Sequence, residues 1–288
     1  MNFWKKALSI GLEEDCWQWD WTTRGTLSAG GSQMISAKIV AKSDGIWAAE
    51  EGVYALQHLS DEMGMPIQIH EFLKNGRELK TGWTTVELHG PVRSILALER
   101  PFLNLASYVS GVATQTRHLV NLVQARSKEL KIEAPRVAST RKSLPGFRDL
   151  VTSGVIIGGG SSHRLNLSGG ILIKENHIAA AGGITQAVQS CRAAAPHTLR
   201  TEVEVTSIPE LREALEVQVD AVLLDNFEPA QVVEALKIMP SKKVWVEVSG
   251  GISAANIESY VLKGVDVISS GSITHSVKSV DLSLLCLK

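Results

Sequence analysis

The chain has 288 residues, 44% of them hydrophobic and 20% charged, with a formal net charge of −1. That profile suits an ordinary globular protein with room for one large α/β domain and a smaller one, and it excludes a third. A near-neutral chain without a basic stripe is not built to bind nucleic acid, so any anion site has to be a local cluster of cations. Cys16, Cys191 and Cys286 are too scattered for a disulfide framework or a metal cage. No apolar run approaches the roughly 20 residues that span a bilayer, so no membrane partner is expected. The N-terminus runs into Glu13-Glu14-Asp15 without a signal-peptide core, and a cytoplasmic location is the default expectation.

Residues 1–104 hold all but one of the tryptophans, with Trp17, Trp19 and Trp21 alternating. Strand-like stretches at 34–41 and 83–88 flank a helical pattern at 50–63, which reads as an α+β domain. From Leu105 the apolar residues Leu105, Val109, Val112, Leu119 and Val123 fall at helical spacing, predicting one long helix over 104–130. Beyond Pro135 short apolar strands alternate with helices. The candidate strands are 136–140, 154–158, 170–174, 200–205, 220–225, 243–249 and 265–270, and the helices are 183–194, 208–217, 229–238 and 253–263. Such alternation implies parallel strands with right-handed crossovers. The expected fold is therefore α/β: a C-terminal α/β barrel over 105–275, open or irregular, of about seven parallel strands, with a smaller N-terminal α+β sandwich over 1–104 that segment 276–288 joins. No G-x-G-x-x-G follows the first strand and no G-x-x-x-x-G-K-[ST] is present, so neither a dinucleotide fold nor a P-loop has support.

Side chains alternate across a strand. The valines at 203, 205, 244, 246 and 248 form all-apolar faces suited to packing on helices. The opposite faces carry Lys174, Glu202, Glu204, Asp225 and Glu247, which then point inward. A single inward charge reads as a structural ion pair, and for Glu202 and Glu247 an internal salt-bridge network competes evenly with function. Lys174, Glu204 and Asp225 all close their strands at the C-terminal end, where α/β barrels place active sites. Thr140-Arg141-Lys142 follows the first barrel strand, His163-Arg164 follows Gly158-Gly159-Gly160, and Lys174 ends the next strand. Arginine forks grip carboxylates in pairs, and lysine suits a phosphate or carboxylate, so the cluster implies a polyanionic ligand. Ser249-Gly250-Gly251 and Ser269-Ser270-Gly271-Ser272 follow the last two strands and bring backbone N–H groups toward an anion, as phosphate loops of barrels do. His177 reads as structural, whereas His275, just past the last glycine loop, is the better candidate for a phosphate contact.

Those residues, in that order, closely resemble the quinolinate phosphoribosyltransferase family. The resemblance is strongest in Thr140-Arg141-Lys142-Ser143-Leu144-Pro145-Gly146, in His163-Arg164-Leu165, and in Leu172-Ile173-Lys174-Glu175-Asn176-His177. It continues in Glu202-Val203-Glu204-Val205, Leu223-Leu224-Asp225-Asn226-Phe227, Ser249-Gly250-Gly251-Ile252 and Gly271-Ser272-Ile273-Thr274-His275-Ser276. The resemblance implies transfer of phosphoribosyl from phosphoribosyl pyrophosphate to the ring nitrogen of quinolinate with Mg²⁺, release of pyrophosphate, and loss of the 2-carboxylate as CO₂. It implies that Arg141, His163, Arg164 and Lys174 hold the two carboxylates, with Arg100 joining from the neighbouring subunit of a homodimer or an assembly of dimers. Thr140, Lys142, Ser249, Gly250, Gly251, Ser270, Gly271, Ser272 and His275 would bind the phosphoribosyl end. Glu204 and Asp225 would face the ribose and its Mg²⁺, directly or through water, and with Lys174 form the catalytic set.

Three departures stand out. Ser139 occupies a position where Asp commonly precedes Thr-Arg-Lys, Glu175 replaces the usual Asp after the lysine, and Ser161-Ser162 precedes His-Arg where a pair ending in Asn is usual. A molybdenum-operon paralogue of the family also tends to carry Ser at the first of these positions, which makes a related transferase with another acceptor the alternative. That paralogue tends to lack the pattern around Lys174, which points back to quinolinate. A Schiff-base lyase using Lys174 is a further reading, which the neighbouring arginines and acids disfavour.

Overall fold

A computed structural model describes residues 3–27, 32–241 and 244–287. The chain opens with α1 (Phe3–Glu14), a 3₁₀ turn at Trp17–Trp19, α2 (Trp21–Thr26), β1 (Met34–Ala41), β2 (Gly45–Ile46), α3 (Glu50–Glu62), β3 (Gln68–Phe72), β4 (Glu78–Leu79), β5 (Thr84–Pro91) and α4 (Val92–Leu130). It continues through β6 (Arg136–Ala138), α5 (Arg148–Ile157), β7 (Ile171–Ile173), α6 (Glu175–Ala181), α7 (Ile184–Ala194), β8 (Thr201–Val205), α8 (Ile208–Glu216), β9 (Ala221–Asp225), α9 (Pro229–Lys237), β10 (Trp245–Ser249), β11 (Val267–Ser269), α10 (Ser272–His275) and β12 (Leu282–Leu287).

The chain divides into two compact units, one of Met1–Arg117, Leu144–Gly159 and Val277–Lys288, the other of His118–Ser143 and Gly160–Ser276. The first unit is built on an antiparallel sheet in the order β12-β1-β5-β3. The C-terminal strand β12 pairs along β1, with Ser36 opposite Leu287 and Ala41 opposite Leu282. Its core joins Leu8, Ile39, Trp47, Leu56, Leu88, Leu98 and Phe102, all buried. Asp20 starts α2 by accepting from the N–H groups of Thr22 (3.0 Å) and Thr23 (3.1 Å), an N-cap that satisfies donors the helix leaves open.

The second unit is a six-stranded parallel sheet in the order β6-β11-β10-β9-β8-β7. Val203, Val205, Val222, Leu224, Val246 and Val248 are buried on one face, as the alternation predicts. They belong with the buried stripe of helices α7, α8 and α9, which includes Val188, Leu211 and Val232. Ser207 caps α8 by accepting from the Glu210 N–H (3.4 Å). No helix among the described residues is long and apolar enough to cross a membrane.

Two expectations are corrected. The stretch 154–158 is not a strand: residues up to Ile157 form the second half of α5, and the sheet has six strands among the described residues rather than about seven. The apolar run there is one helical face, since Leu150, Val151, Gly154 and Val155 are the buried positions. The seventh place, beside β6, is taken by a single parallel bridge from Ser161 to Ala138. Residues 104 and 105 lie within α4, which begins at Val92 and carries Pro101. The helix expected at 253–263 shrinks to a 3₁₀ turn at Ile257–Tyr260.

Within the first unit, α5 lies close enough to α4 that only glycine fits at two positions. A Cβ on Gly154 would sit 2.9 Å from the Val109 carbonyl oxygen and 3.0 Å from the Val112 side chain. Arg117 on α4 closes the C-terminal end of α5, donating to the carbonyls of Gly158 (2.9 Å) and Ile157 (3.2 Å). Gly154→Ala should therefore destabilise the protein by about 1–3 kcal/mol through overpacking, measured by urea unfolding. An unchanged denaturation midpoint would show that the two helices can separate without cost.

Candidate active site

The C-terminal ends of the parallel strands surround a cleft of about 360 Å³. It is lined by Thr140, Arg141, Lys142, His163, Arg164, Lys174, Glu204, Asp225, Glu247, Ser249 and Ser269, with Leu172 and Leu223. The register explains the gathering. Glu204 lies opposite Leu223, Leu223 opposite Glu247, and Asp225 opposite Ser249, so residues far apart in sequence share neighbouring rows of one sheet face. A second cavity, of about 460 Å³, opens at the other ends of the strands beside Lys131, Arg136 and Trp245 and contains none of the expected site residues.

The cations are positioned by short local contacts. Lys142 donates its N–H to the Thr140 hydroxyl (3.2 Å), which tightens the turn after β6. Arg164 donates through Nη1 to the Gly170 carbonyl (2.9 Å). Arg141 keeps a buried Nε with no hydrogen-bond partner. Burial pushes the Arg164 pKa down, and the neighbouring positive charge of Arg141 pushes the same way. Two arginines that repel each other, one with an unsatisfied buried donor, form a site short of an anion. Lys174 pairs with Glu204, whose side chain is only 13% exposed. That pairing engages the amine with a carboxylate instead of leaving it free to attack a carbonyl. His177 is structural, accepting the Lys174 backbone N–H at Nδ1 (3.0 Å) at the start of α6.

Asp225 is the other acid at the mouth. Burial raises its pKa, the nearby Glu204 raises it further, and Lys174 and Lys142 offset part of this. An acid whose charge is disfavoured by burial and by a neighbouring carboxylate, beside an open cleft, fits a divalent cation.

Beneath Arg164 lies an arrangement that the sequence left undecided. The His163 Nε2 is 3.2 Å from Glu202 and 3.6 Å from Glu247. These three are spaced as metal ligands could be. The other ring nitrogen argues otherwise, because His163 Nδ1 accepts the backbone N–H of Arg164 (2.7 Å). An accepting Nδ1 places the ring proton on Nε2, where it faces the two carboxylates and leaves no lone pair for a metal. The hydrogen bond to Glu202 raises the His163 pKa against the opposing effect of burial. Glu247 is 5% exposed, and its Oε1 has no hydrogen-bond partner. Burial first, then the Glu202 charge, pushes its pKa up to about 7.

The two glycine loops are tied together. The Ser270 hydroxyl donates to the Ile252 carbonyl (2.6 Å) and also meets the Ser272 hydroxyl (2.7 Å). The Ser270 N–H donates to Ala138 (3.0 Å), so Ser270 holds the loops in place with both its donors. Gly250 has φ +96°, and a Cβ there would collide with Asn226, itself left-handed at φ +57°. Gly251, at φ +61°, continues the turn. Gly271 lies against the rings of His275 and the stem of Lys142, which joins the last loop to the first. Arg100 lies apart from these residues in sequence, on α4 of the first unit, with its side chain 68% exposed and Glu99 3.7 Å away. Glu202, Glu247 and Ser269 are the lining or supporting residues that the expected site set omitted; alternation pointed Glu202 and Glu247 inward but did not reveal their shared partner, His163.

The elevated pKa of Glu247 has a stability consequence. A carboxyl whose folded pKa lies above its unfolded value binds more protons when folded, so stability declines as pH rises from about 4.5 to about 7. His163, also raised, loses stabilisation in the same direction. Glu247→Gln should therefore melt higher than the parent at pH 8 by up to about 3 kcal/mol, and little differently at pH 5. Equal melting of the two proteins at both pH values would refute the burial argument.

Comparison with known proteins agrees with this geometry. Residues 20–110 match the family model for the quinolinate phosphoribosyl transferase N-terminal domain, and residues 112–285 match that for the C-terminal domain. A Bacillus subtilis protein named probable nicotinate-nucleotide pyrophosphorylase [carboxylating] is 39% identical over 280 residues, covering 97% of this chain and 92% of the relative. The human nicotinate-nucleotide pyrophosphorylase [carboxylating] is 36% identical over 243 residues, covering 83% and 80%. The solved structure of the nicotinate-nucleotide pyrophosphorylase from Francisella tularensis superposes with a TM-score of 0.88 at 34% identity, covering 100% of this chain and 97% of that one. With both domains matched and the cleft in place, the chain belongs to the quinolinate phosphoribosyl transferase family.

Proposed function

We propose that this protein is a pentosyltransferase that moves the phosphoribosyl group of phosphoribosyl pyrophosphate onto the ring nitrogen of quinolinate and removes the 2-carboxylate, giving nicotinate mononucleotide, pyrophosphate and CO₂ for NAD biosynthesis. The observation that carries it is the pairing, in one cleft, of an anion-deficient Arg141–Arg164 pair with the acids Glu204 and Asp225.

Arg141, Arg164 and Lys174 orient the two carboxylates so that the ring nitrogen faces the ribose carbon. Glu204 and Asp225 stabilise the positive charge that develops on the ribose as pyrophosphate departs. Lys142, Ser249 and the backbone of the Gly250–Gly251 and Gly271–Ser272 turns hold the phosphates, with His275 at the rim. Glu204 and Asp225 are also the residues suited to hold Mg²⁺, since a divalent charge would relieve the repulsion that raises Asp225. When bound, the ion would neutralise the pyrophosphate oxygens. Alkylation makes the ring a pyridinium that accepts the electrons left by CO₂. His163, with both ring nitrogens engaged, serves this site by fixing Arg164 and the floor rather than by gripping a carboxylate itself. Arg100, exposed on its helix, is proposed to complete the acid pocket of a second copy, making the working unit a homodimer.

A second reading keeps the chemistry and changes the acceptor. Ser139, neutral and buried under the Thr140 turn, favours it. Both readings are tested by supplying purified protein with phosphoribosyl pyrophosphate, Mg²⁺ and either quinolinate or other ring acids. Nicotinate mononucleotide is the expected product from quinolinate, and Lys174→Ala should lower kcat/KM by about 100-fold or more. Turnover of another ring acid with none of quinolinate would overturn the substrate assignment.

A further inference from the structure

We propose that Glu247 is the acid that protonates C2 of the pyridine ring as the 2-carboxylate leaves. The inference rests on the quinolinate reading above. When the bond from C2 to the carboxylate carbon breaks, CO₂ departs and the electron pair stays on C2 beside the ring nitrogen. The product carries hydrogen at C2, so a proton has to arrive inside the cleft.

The groups lining the cleft differ in whether they can supply it. Arg141 and Arg164 hold their protons too tightly. Lys174 is committed to Glu204, and Lys142, which also lines the cleft, is assigned above to the phosphates. His163 directs its Nε2 proton at Glu202 and Glu247 and uses Nδ1 as an acceptor. Asp225 and Glu204 are assigned to the ribose and its cation in the reading above. The hydroxyls of Thr140, Ser249 and Ser269 are far weaker acids. Glu247 remains. It lines the cleft two residues deeper in β10 than Ser249, in the same row as Glu204, and its buried Oε1 has no hydrogen-bond partner.

Its surroundings favour the protonated form. Glu202 from β8, His163 from the segment before β7, Lys174 at the end of β7 and Ser269 from β11 are the charged and polar groups that act on it. Burial and Glu202 outweigh the others, and the carboxyl titrates at about 7, where a general acid is most effective. In the step itself the Glu247 O–H bond breaks, its proton joins the electron pair on C2, and Glu247 is left as a carboxylate. Water restores that proton when product leaves and the cleft refills.

The test separates the two halves of the reaction. Single turnovers with quinolinate labelled in its 2-carboxylate and phosphoribosyl pyrophosphate are followed for pyrophosphate and for CO₂. In Glu247→Gln, CO₂ release should slow by about 100-fold relative to pyrophosphate release, and the dicarboxylated nucleotide should accumulate. The parent enzyme should show the same lag as pH is raised above 7, whether or not the variant folds. CO₂ and pyrophosphate appearing together in the variant, or in the parent at every pH, would overturn the assignment of Glu247. Release of neither from quinolinate by the parent enzyme would instead refute the substrate reading.

Discussion

The structure turns on how the charges on the inner face of the parallel sheet are balanced. The outer face is apolar and sealed by helices, so β8, β9 and β10 can afford charged residues only where partners or a ligand meet them. Lys174 meets Glu204, and His163 stands between Glu202 and Glu247. What is left over is specific: an unpaired Nε on Arg141, an unpaired Oε1 on Glu247, and an Asp225 whose charge is disfavoured. The residual imbalance lies where strand ends open into a cleft, which is why that cleft, and not the larger cavity at the opposite ends, reads as the site. The structural pairs and the site residues are two parts of one electrostatic arrangement.

The loops that close this arrangement are braced without long side chains. Ser270 links the turn after β10 to the strand end of β6 through its hydroxyl and its N–H. Gly250 and Asn226 interlock in left-handed conformations at the ends of neighbouring strands. A turn held this way presents backbone N–H groups at fixed positions, so little ordering is left for phosphate binding to pay for. The small residues that looked like ligands in the sequence thus divide. Ser249 lines the cleft, whereas Ser270 sets the shape of the loops around it.

Much of this was legible before any coordinates. Alternation along 202–205, 221–225 and 245–249 set Glu204, Asp225, Glu247 and Ser249 on the face that lines the cleft, because a period of two leaves no freedom once one face is buried. The stretch 154–158 misled because a short apolar run with a glycine looks alike in a strand or a helix. Gly154 marks close packing on α4, not a turn. The spacing at 253–263 reflects apolar residues such as Ile257, Tyr260 and Val261 that are buried around a 3₁₀ turn, with Gly264 at φ +106° soon after. The His163 unit was beyond the sequence for another reason. Pattern gives the direction of Glu202 and Glu247, but only the path of the chain after α5 brings the ring between them.

The same electrostatics bears on selectivity. The charge of Arg141 adds to burial in lowering the Arg164 pKa, so a ligand with one carboxylate leaves part of that repulsion, and a buried guanidinium donor on Arg141, unmet. A ligand with two adjacent carboxylates relieves both. The discrimination against a monoacid then comes less from added attraction than from the cost of a polar group left without a partner, which is the stronger basis for specificity in a desolvated site.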